Sequence, residues 1–434
     1  IRALADLGGD SSAATLIDLT RVAEMTTQAN ALAALSRLDL TRAAENLVPW
    51  LRNENCVNDL DLPLAAFLQR KGGPAALIAA LEGKDIPPEA AKIAYRIVQA
   101  SPQSSADLLK AFERAGNLSQ SGWQLTAELL QKLVQQVADK GDPQQGEEIY
   151  RRQQLQCMNC HAIGGAGGRV GPDLISIGAS APIDYLVESL IEPNKKVKEN
   201  FHSTMVQTDD GRVLTGIPVR ETEQELVLRD AQDREVTVAV AGIAARRDGR
   251  SLMPEGLVNP LTQEELVHLV SFLTQLGKKE FSIGQDRVVR RWQELVWTEA
   301  SHRRLNRTSF DIVATDDPDL DWRASYSRVS GALPLEELDK FVPHRGLDPT
   351  SFVRFELDVT SPGNVVLLFD DVKGLTLWID GQPTEIQSRV EVALAKNTHA
   401  VTLAINRQQR SQPLSVQLGE TSDHPAQVQL VSGK

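Results

Sequence analysis

Three side chains in this sequence have types and spacing that could do chemistry: Cys157, Cys160 and His161, in the run Gln156-Cys157-Met158-Asn159-Cys160-His161. Two thiols separated by two residues can each form a thioether to a vinyl group of one porphyrin. The next residue then lies beneath the metal, where the His161 imidazole can bind iron. Two other chemistries use cysteines at this spacing. A structural zinc site needs four ligands, and the remaining cysteine, Cys56, lies far upstream with no histidine beside it. A thioredoxin-like pair follows a strand and opens a helix. Here the motif closes a helical pattern and a Gly-rich loop follows. Haem c attachment is the reading that the surroundings favour.

A haem held by His on one face and Met on the other has a raised potential and serves electron transfer. Of the four methionines, Met158 lies between the two cysteines and Met25 belongs to a helical pattern. Met253, in Ser251-Leu252-Met253-Pro254, sits in a loop leading into a later helix and can deliver a sulfur across the ring. Met205, in a strand-like run, is its rival, and His202 would give bis-His ligation. The ordinary fate of a methionine is to fill a gap in a core. Arg169, in the Gly-rich loop, is either a partner for a haem propionate or a solvated loop arginine. No nucleophile–His–Asp pattern of a hydrolase is present.

The 434 residues allow two to four domains. A 41% hydrophobic and 24% charged composition is that of an ordinary soluble globular chain. The net charge of −12 argues against nucleic acid as a partner. No apolar run approaches the ~20 residues of a membrane span. A start at Ile1, with neither Met nor leader, is read as a processed or truncated part of a longer protein. Cys56 reads as a small apolar residue of a helical core.

Residues 1–140 carry one helical pattern after another, separated by stop signals such as Gly72-Gly73-Pro74 and Gly116-Asn117. Stacked HEAT-like repeats or an irregular bundle would both fit. A helix over Gln144–Gln154 leads into the cysteines, with Gly146, Ile149 and Tyr150 on one face. Downstream, Thr262 and Glu265 match a capping box. The stripe Leu266, Leu269, Val270, Leu273, extended by Phe272 and Leu276, follows helical spacing. Between Asn200 and Arg250 four alternating runs with turns at Asp209-Asp210-Gly211 and Gln232-Asp233 predict a β-meander.

After a hinge at Lys278-Lys279-Glu280, a helix is expected around Arg287–Val296. Short strands follow, beginning with Phe310–Val313 and including Ser351–Asp358 and His399–Ile405. They predict an antiparallel β-sandwich over 281–434, loosely similar to PA14-like or carbohydrate-binding sandwiches. Trp322, Tyr326 and Trp378 are either a sugar platform or core, and core is favoured. Asp370-Asp371 is either a calcium ligand pair or, the better reading, a solvated turn.

Residues from about 141 to 277 resemble a class I cytochrome c domain. The matching residues are Gly146 and Tyr150, Cys157-x-x-Cys160-His161, Gly171-Pro172-Asp173-Leu174 and Met253-Pro254. The resemblance is closest to the Pirellula/Verrucomicrobium-type haem-binding proteins of planctomycetes and relatives. It is carried by Tyr185-Leu186-Val187-Glu188-Ser189-Leu190-Ile191-Glu192-Pro193-Asn194, Asp210–Gly216 and Ser251–Leu257, and covers about a third of the chain. The β insert departs from the usual class I pattern. The resemblance implies that the Pro172 carbonyl accepts the proximal imidazole N–H and that Met253 is the distal ligand. Some members join a sugar-dehydrogenase-like propeller to the cytochrome, and none is visible here.

The expected architecture is therefore multidomain α + β: HEAT-like helices over 1–140, a cytochrome c domain over 141–280 with its insert at about 201–250, and a β-sandwich over 281–434. The expected function is extracytoplasmic electron transfer, periplasmic or at the cell surface, by one covalent haem c on Cys157 and Cys160. His161 and Met253 fill its axial positions, and a redox protein is the partner. Two alternatives stand beside it. One is a haem enzyme: a peroxidase, or the electron-accepting part of a sugar dehydrogenase. The other is a polysaccharide-binding or adhesion protein with an accessory cytochrome.

Overall fold

The computed structural model describes all residues except 23, 54, 55, 57, 58, 102–104, 119–121, 279, 280, 282, 284–286, 343–347, 422 and 432–434. The chain forms two compact units. One comprises residues 1–140, 190–192 and 255–268, and the other residues 141–189, 193–254 and 269–434. Helices and antiparallel sheets both contribute. Among the described residues no helix is long and apolar enough to cross a membrane.

The first unit contains α1 (Arg2–Leu7), α2 (Gly9–Leu19), α3 (Met25–Leu38), α4 (Leu40–Leu51), α5 (Asp61–Leu68), α6 (Gly73–Leu81), α7 (Pro88–Ala100), α8 (Ala106–Ala115) and α9 (Ala127–Lys140). Helix α3 packs on α5, α4 on α6, α5 on α7 and α6 on α8. Helices α3 to α6 thus each meet the one two places along, which is how stacked helical pairs share a continuous core. Leu32, Leu35, Leu47, Phe67 and Phe112 are fully buried in it, together with Cys56. Burial pushes the Cys56 thiol up to about 11, so it stays protonated as a small apolar side chain. The segment 255–268 is sealed by polar contacts. Lys92 donates to the Leu261 carbonyl at 2.8 Å, and the Arg96 guanidinium forks onto Glu265 at 2.7 and 2.8 Å. Glu265 also accepts from the Thr262 N–H at 2.9 Å while Thr262 accepts from the Glu265 N–H at 3.1 Å. That reciprocal pair is the expected capping box.

In the second unit, α10 (Pro143–Tyr150) and the one-turn α11 (Cys157–Cys160) precede a small hairpin, β1 (Ala162–Ile163) and β2 (Ala166–Gly167). Helices α12 (Ile177–Ser180) and α13 (Ile183–Ile191) follow. The insert is a sheet of β3 (Thr204–Thr208), β4 (Val213–Glu221), β5 (Glu225–Arg229), β6 (Glu235–Ala239) and β7 (Ile243–Asp248) in the order β6-β5-β4-β3-β7. Val206, Leu226, Leu228 and Val238 form its core. Strand β7 is an addition to the four expected. Its sequence Ile-Ala-Ala-Arg-Arg-Asp does not alternate, and its pairing with β3, with Arg247 opposite Met205, makes it a strand. Helix α14 (Gln263–Gln275) carries the predicted apolar stripe, with Phe272 fully buried.

The rest of the second unit is two sheets over one core. The larger contains β8 (Arg291–Leu295), β9 (Trp322–Tyr326), β10 (Thr350–Ser361), β12 (Leu375–Ile379), β13 (Gln382–Thr384), β15 (Asn397–Asn406) and β17 (Gln427–Leu430). The smaller contains β11 (Gly363–Phe369), β14 (Arg389–Leu394) and β16 (Val416–Gly419). Phe355, Leu357, Val401 and Leu403 from the first meet Val365, Leu367 and Val416 from the second. A smaller core holds Leu305 of α15 (Glu299–Arg307) with Val313, Phe352 and Trp378.

Two sequence expectations are corrected. The helix expected around Arg287–Val296 is strand β8 at its centre, because pairing with β9 and β10 buries Trp292 and Leu295. The strand expected at Phe310–Val313 is a 3-10 turn, Phe310–Ala314, that packs Val313 inward. Of the expected hinge, Lys279 and Glu280 lie outside the described residues. Tyr326 and Trp378 are buried and Trp322 lies under the Arg354 guanidinium, so these aromatics are packing residues rather than a platform. The Asp370 carboxylate accepts from the buried Arg410 at 3.0 Å.

The β12–β13 turn at Asp380-Gly381 carries a pH-sensitive contact. Burial lowers the His399 pKa, but hydrogen bonds to the Asp380 carboxylate at 2.6 Å and the Ala395 carbonyl at 2.8 Å outweigh it, and the net shift is upward. A folded-state pKa above the unfolded value of ~6.5 stabilises below that pH, and the contribution fades as pH rises through the folded pKa. Asp380→Asn should therefore lower the urea midpoint more at pH 6 than at pH 9.

Candidate functional site

The site is built on α10. Asp142 caps its first turn by accepting from the N–H groups of Gln144 and Gln145 at 2.9 and 3.1 Å, and Pro143 occupies the position where no donor is needed. The helix buries Gly146, Ile149 and Tyr150. Tyr150 meets Phe272 of α14 with ring centroids 5.5 Å apart, and Phe272 meets Phe281 at 5.7 Å. The Tyr150 hydroxyl donates to the His161 carbonyl at 3.3 Å.

Gln156 adopts a left-handed conformation (φ 52°) that turns the chain into α11. Cys157 and Cys160, three apart on one helical turn, share a face. The His161 N–H closes the turn on the Cys157 carbonyl at 2.8 Å. Neither cysteine is in a disulfide, and both residues are partly exposed. Burial of the sulfur pushes Cys157 up to about 12, the reverse of what a thioredoxin-like nucleophile needs.

The Gly-rich loop then folds back over this turn. Gly168 donates to the Met158 carbonyl at 2.9 Å, Gly171 to the Cys160 carbonyl at 2.7 Å and Leu174 to the Ala162 carbonyl at 2.8 Å. A Cβ on Gly168 would lie 1.9 Å from the Asn159 carbonyl oxygen, and one on Gly171 would lie 2.3–2.8 Å from the His161 ring. Neither position tolerates a side chain. The Asp173 carboxylate holds the loop shut by accepting from the N–H groups of Gly164, Gly165 and Ile175 at 3.0, 2.8 and 2.8 Å.

His161 Nδ1 lies 2.9 Å from the Pro172 carbonyl oxygen. A carbonyl can only accept, so Nδ1 carries the proton and Nε2 keeps its lone pair. Burial lowers the His161 pKa, against the opposing pull of the Pro172 hydrogen bond and Asp173, so the ring is a neutral imidazole. Two thiols on one face, followed by an imidazole with a fixed tautomer and a lone pair at Nε2, form a donor set suited to a covalently held haem.

Met253 is partly buried and belongs to a loop with its own anchors. Its N–H donates to the Ser251 hydroxyl at 3.2 Å, and the Ser251 N–H donates to the Asn194 side-chain oxygen at 2.9 Å. The Gly249 N–H donates to the Ser203 carbonyl at 2.8 Å, and the buried Ser203 hydroxyl donates to the Arg250 carbonyl. Strand β7 therefore runs directly into a pinned Met253 loop. Of the five predicted site residues, hydrogen bonds or near contacts join Cys157, Cys160, His161 and Pro172, whereas Met253 is held separately. The sulfur of its rival Met205 is engaged, with Arg247 nitrogens at 3.0 and 3.2 Å, and His202 is exposed. Arg169 is drawn to Asp233: its N–H donates to that carboxylate at 3.1 Å and its side chain stays half-exposed.

Sequence reasoning gave no role to Asn194 or Ser203. Asn194 stood in the Glu192-Pro193-Asn194 signature, but its partner lies 57 residues on. Among the described residues no group of three or more His, Cys, Asp or Glu side chains converges as a metal cage.

No protein-family model matches the chain, and no curated protein matches it. Among solved structures it aligns with a Cry1Da tryptic core variant of Bacillus thuringiensis at 11% identity, over 94% of this chain and 80% of that one. The TM-score is 0.11.

Gly171→Ala should destabilise the protein by about 1–3 kcal/mol through the clash with His161, read as a lower urea midpoint. The His161 Nδ1–H proton resonance should shift with it. Gly242→Ala, whose Cβ would meet nothing within 4 Å, should leave both unchanged.

Proposed function

We propose that the protein is a mono-haem c-type cytochrome that carries single electrons outside the cytoplasm, with a class I cytochrome c domain over 141–280. The observation that carries this reading is the 2.9 Å contact between His161 Nδ1 and the Pro172 carbonyl, directly after two cysteines on one helical face that are not in a disulfide. The contact is the one that the resemblance implies for Pro172, and Gly171 provides the clearance it needs.

On this reading, Cys157 and Cys160 would hold haem c through thioethers, and His161 Nε2 and the Met253 sulfur would be the residues that ligate its iron. A haem bound there supplies one-electron exchange between Fe(III) and Fe(II). The residues around it prepare that exchange. Pro172 fixes the imidazole orientation and makes His161 a better donor, as hydrogen-bonded carbonyls do for ligating histidines. Asp173 keeps the loop closed over the turn. Asn194 and Ser203 hold the Met253 loop in one conformation, which restricts how far its sulfur can move with a change of charge. With both His161 and Met253 holding the iron, the group would serve electron transfer rather than substrate chemistry, and the partner would be another redox protein. Covalent haem attachment, on this reading, would imply the periplasm or the cell surface.

The test is optical spectroscopy of protein matured in a host competent for haem attachment. We expect a haem c spectrum, with a far-red Fe–S charge-transfer band that is lost in Met253→Ala and kept in Met205→Ala and His202→Ala. Cys157→Ala/Cys160→Ala should carry no covalent haem by mass. Absence of haem from the wild-type chain would overturn the proposal.

A further inference from the structure

The C-terminal half holds a second feature, independent of the cysteine motif. Of the six tryptophans, Trp50, Trp292 and Trp378 are buried and Trp123 and Trp322 are partly covered, whereas Trp297 is 47% exposed. It stands just before α15 and, with Glu299, His302, Arg303, Asn306 and Arg307 of that helix, lines an open surface cleft of about 460 Å³. A volume of this order is within the range of small-molecule sites.

The backbone that carries the indole is fixed. The Trp297 N–H donates to Asp339 at 2.8 Å. Thr298 and the buried Ser301 then cap α15 reciprocally, at 2.9 and 3.0 Å, and Ser301 also donates to the Val296 carbonyl at 2.9 Å. His302 braces the indole with ring centroids 5.7 Å apart, and its Nε2 donates to the Val342 carbonyl at 3.1 Å. Asn306 packs its amide against the same ring at 3.2 Å. An exposed aromatic held this rigidly loses little freedom on binding.

The arginines of α15 divide by role. Arg304, partly exposed, is taken up by the Asp317 carboxylate at 2.6 and 2.9 Å. Arg303 is exposed, with Glu299 no closer than 3.9 Å, and Arg307 is exposed with no ion pair among the described residues. Two guanidinium forks lie one helical turn apart beside a flat apolar face. A guanidinium matches a carboxylate or sulfate with two parallel hydrogen bonds, and an indole covers the apolar face of a ring while leaving its hydroxyls wet. We propose that this cleft binds an acidic sugar unit of a polysaccharide. Trp297 stacks on the ring, Arg303 and Arg307 hold its carboxylate or sulfate, and Asn306 faces its hydroxyls.

The proposal does not rest on the haem reading, and loss of haem would leave it intact. The test is calorimetric titration of the full chain with an oligogalacturonate, dextran sulfate, neutral dextran and double-stranded DNA. We expect binding to one or both acidic saccharides, the carboxylate and sulfate arms telling the two sources apart. Trp297→Ala and Arg303→Gln/Arg307→Gln should each weaken binding at least tenfold, while Arg212→Gln, at a turn of the insert, leaves it unchanged. Circular dichroism should show both cleft variants folded. Binding that is absent, equal for neutral dextran or DNA, or unchanged in both cleft variants would overturn the proposal.

Discussion

The clearance around His161 is the constraint on which the rest of the candidate site depends. The imidazole can reach the Pro172 carbonyl only because Gly171 presents no Cβ to its ring, and the loop can close over α11 only because Gly168 presents none to Asn159. A side chain at either position would push the loop away and leave the Nδ1 proton without its acceptor. The imidazole would then be free to rotate, and no particular nitrogen would be offered to a metal. Asp173 completes the arrangement by satisfying three loop N–H groups that the tight fold turns toward it.

Around that turn, the second unit supplies rigidity from distant parts of the chain. Arg151, at the end of α10, is buried and forks onto Glu337 at 2.7 Å through both Nε and one terminal nitrogen. It also donates to the carbonyls of Tyr326 and Ser327 at 2.6 and 3.2 Å. Glu147, one turn earlier, accepts from the Val329 N–H at 2.6 Å, and burial raises its pKa. A buried arginine is tolerable only when its donors are met by carboxylate and carbonyl oxygens. The helix that delivers the cysteines is thus bolted to the two-sheet core behind it. The insert does the corresponding work for Met253, since Ser203 at the start of β3 and the end of β7 meet where the loop begins.

Much of the local structure was legible because it is governed by neighbours in sequence. The cap at Thr262 and Glu265, the stop glycines between the early helices, the turns of the insert and the stripe on α14 depend on residues within about two helical turns of one another. Where the reading failed, a distant partner decided. Strand β8 was read as a helix because its residues permit either periodicity, and only β9 and β10 settle it. Strand β7 has no alternation of its own and exists by virtue of β3. Trp322, Tyr326 and Trp378 pack as the favoured reading had them, whereas the exposure of Trp297 is a property of packing that leaves no mark on residue type.

By itself the sequence determined the chemistry on offer: two thiols and an imidazole at one fixed spacing, a Gly-rich loop without side chains to obstruct it, and a small set of thioethers. Covalent connectivity enforces those relations in any conformation. The tertiary structure alone decided the tautomer of His161, the tether of Met253 to Asn194 and Ser203, and the removal of Met205 by Arg247. It also paired Arg304 with Asp317 while leaving Arg303 and Arg307 beside Trp297. Each of these is a hydrogen bond or ion pair whose partners folding must first bring within about 3 Å, a distance that spacing along the chain does not encode.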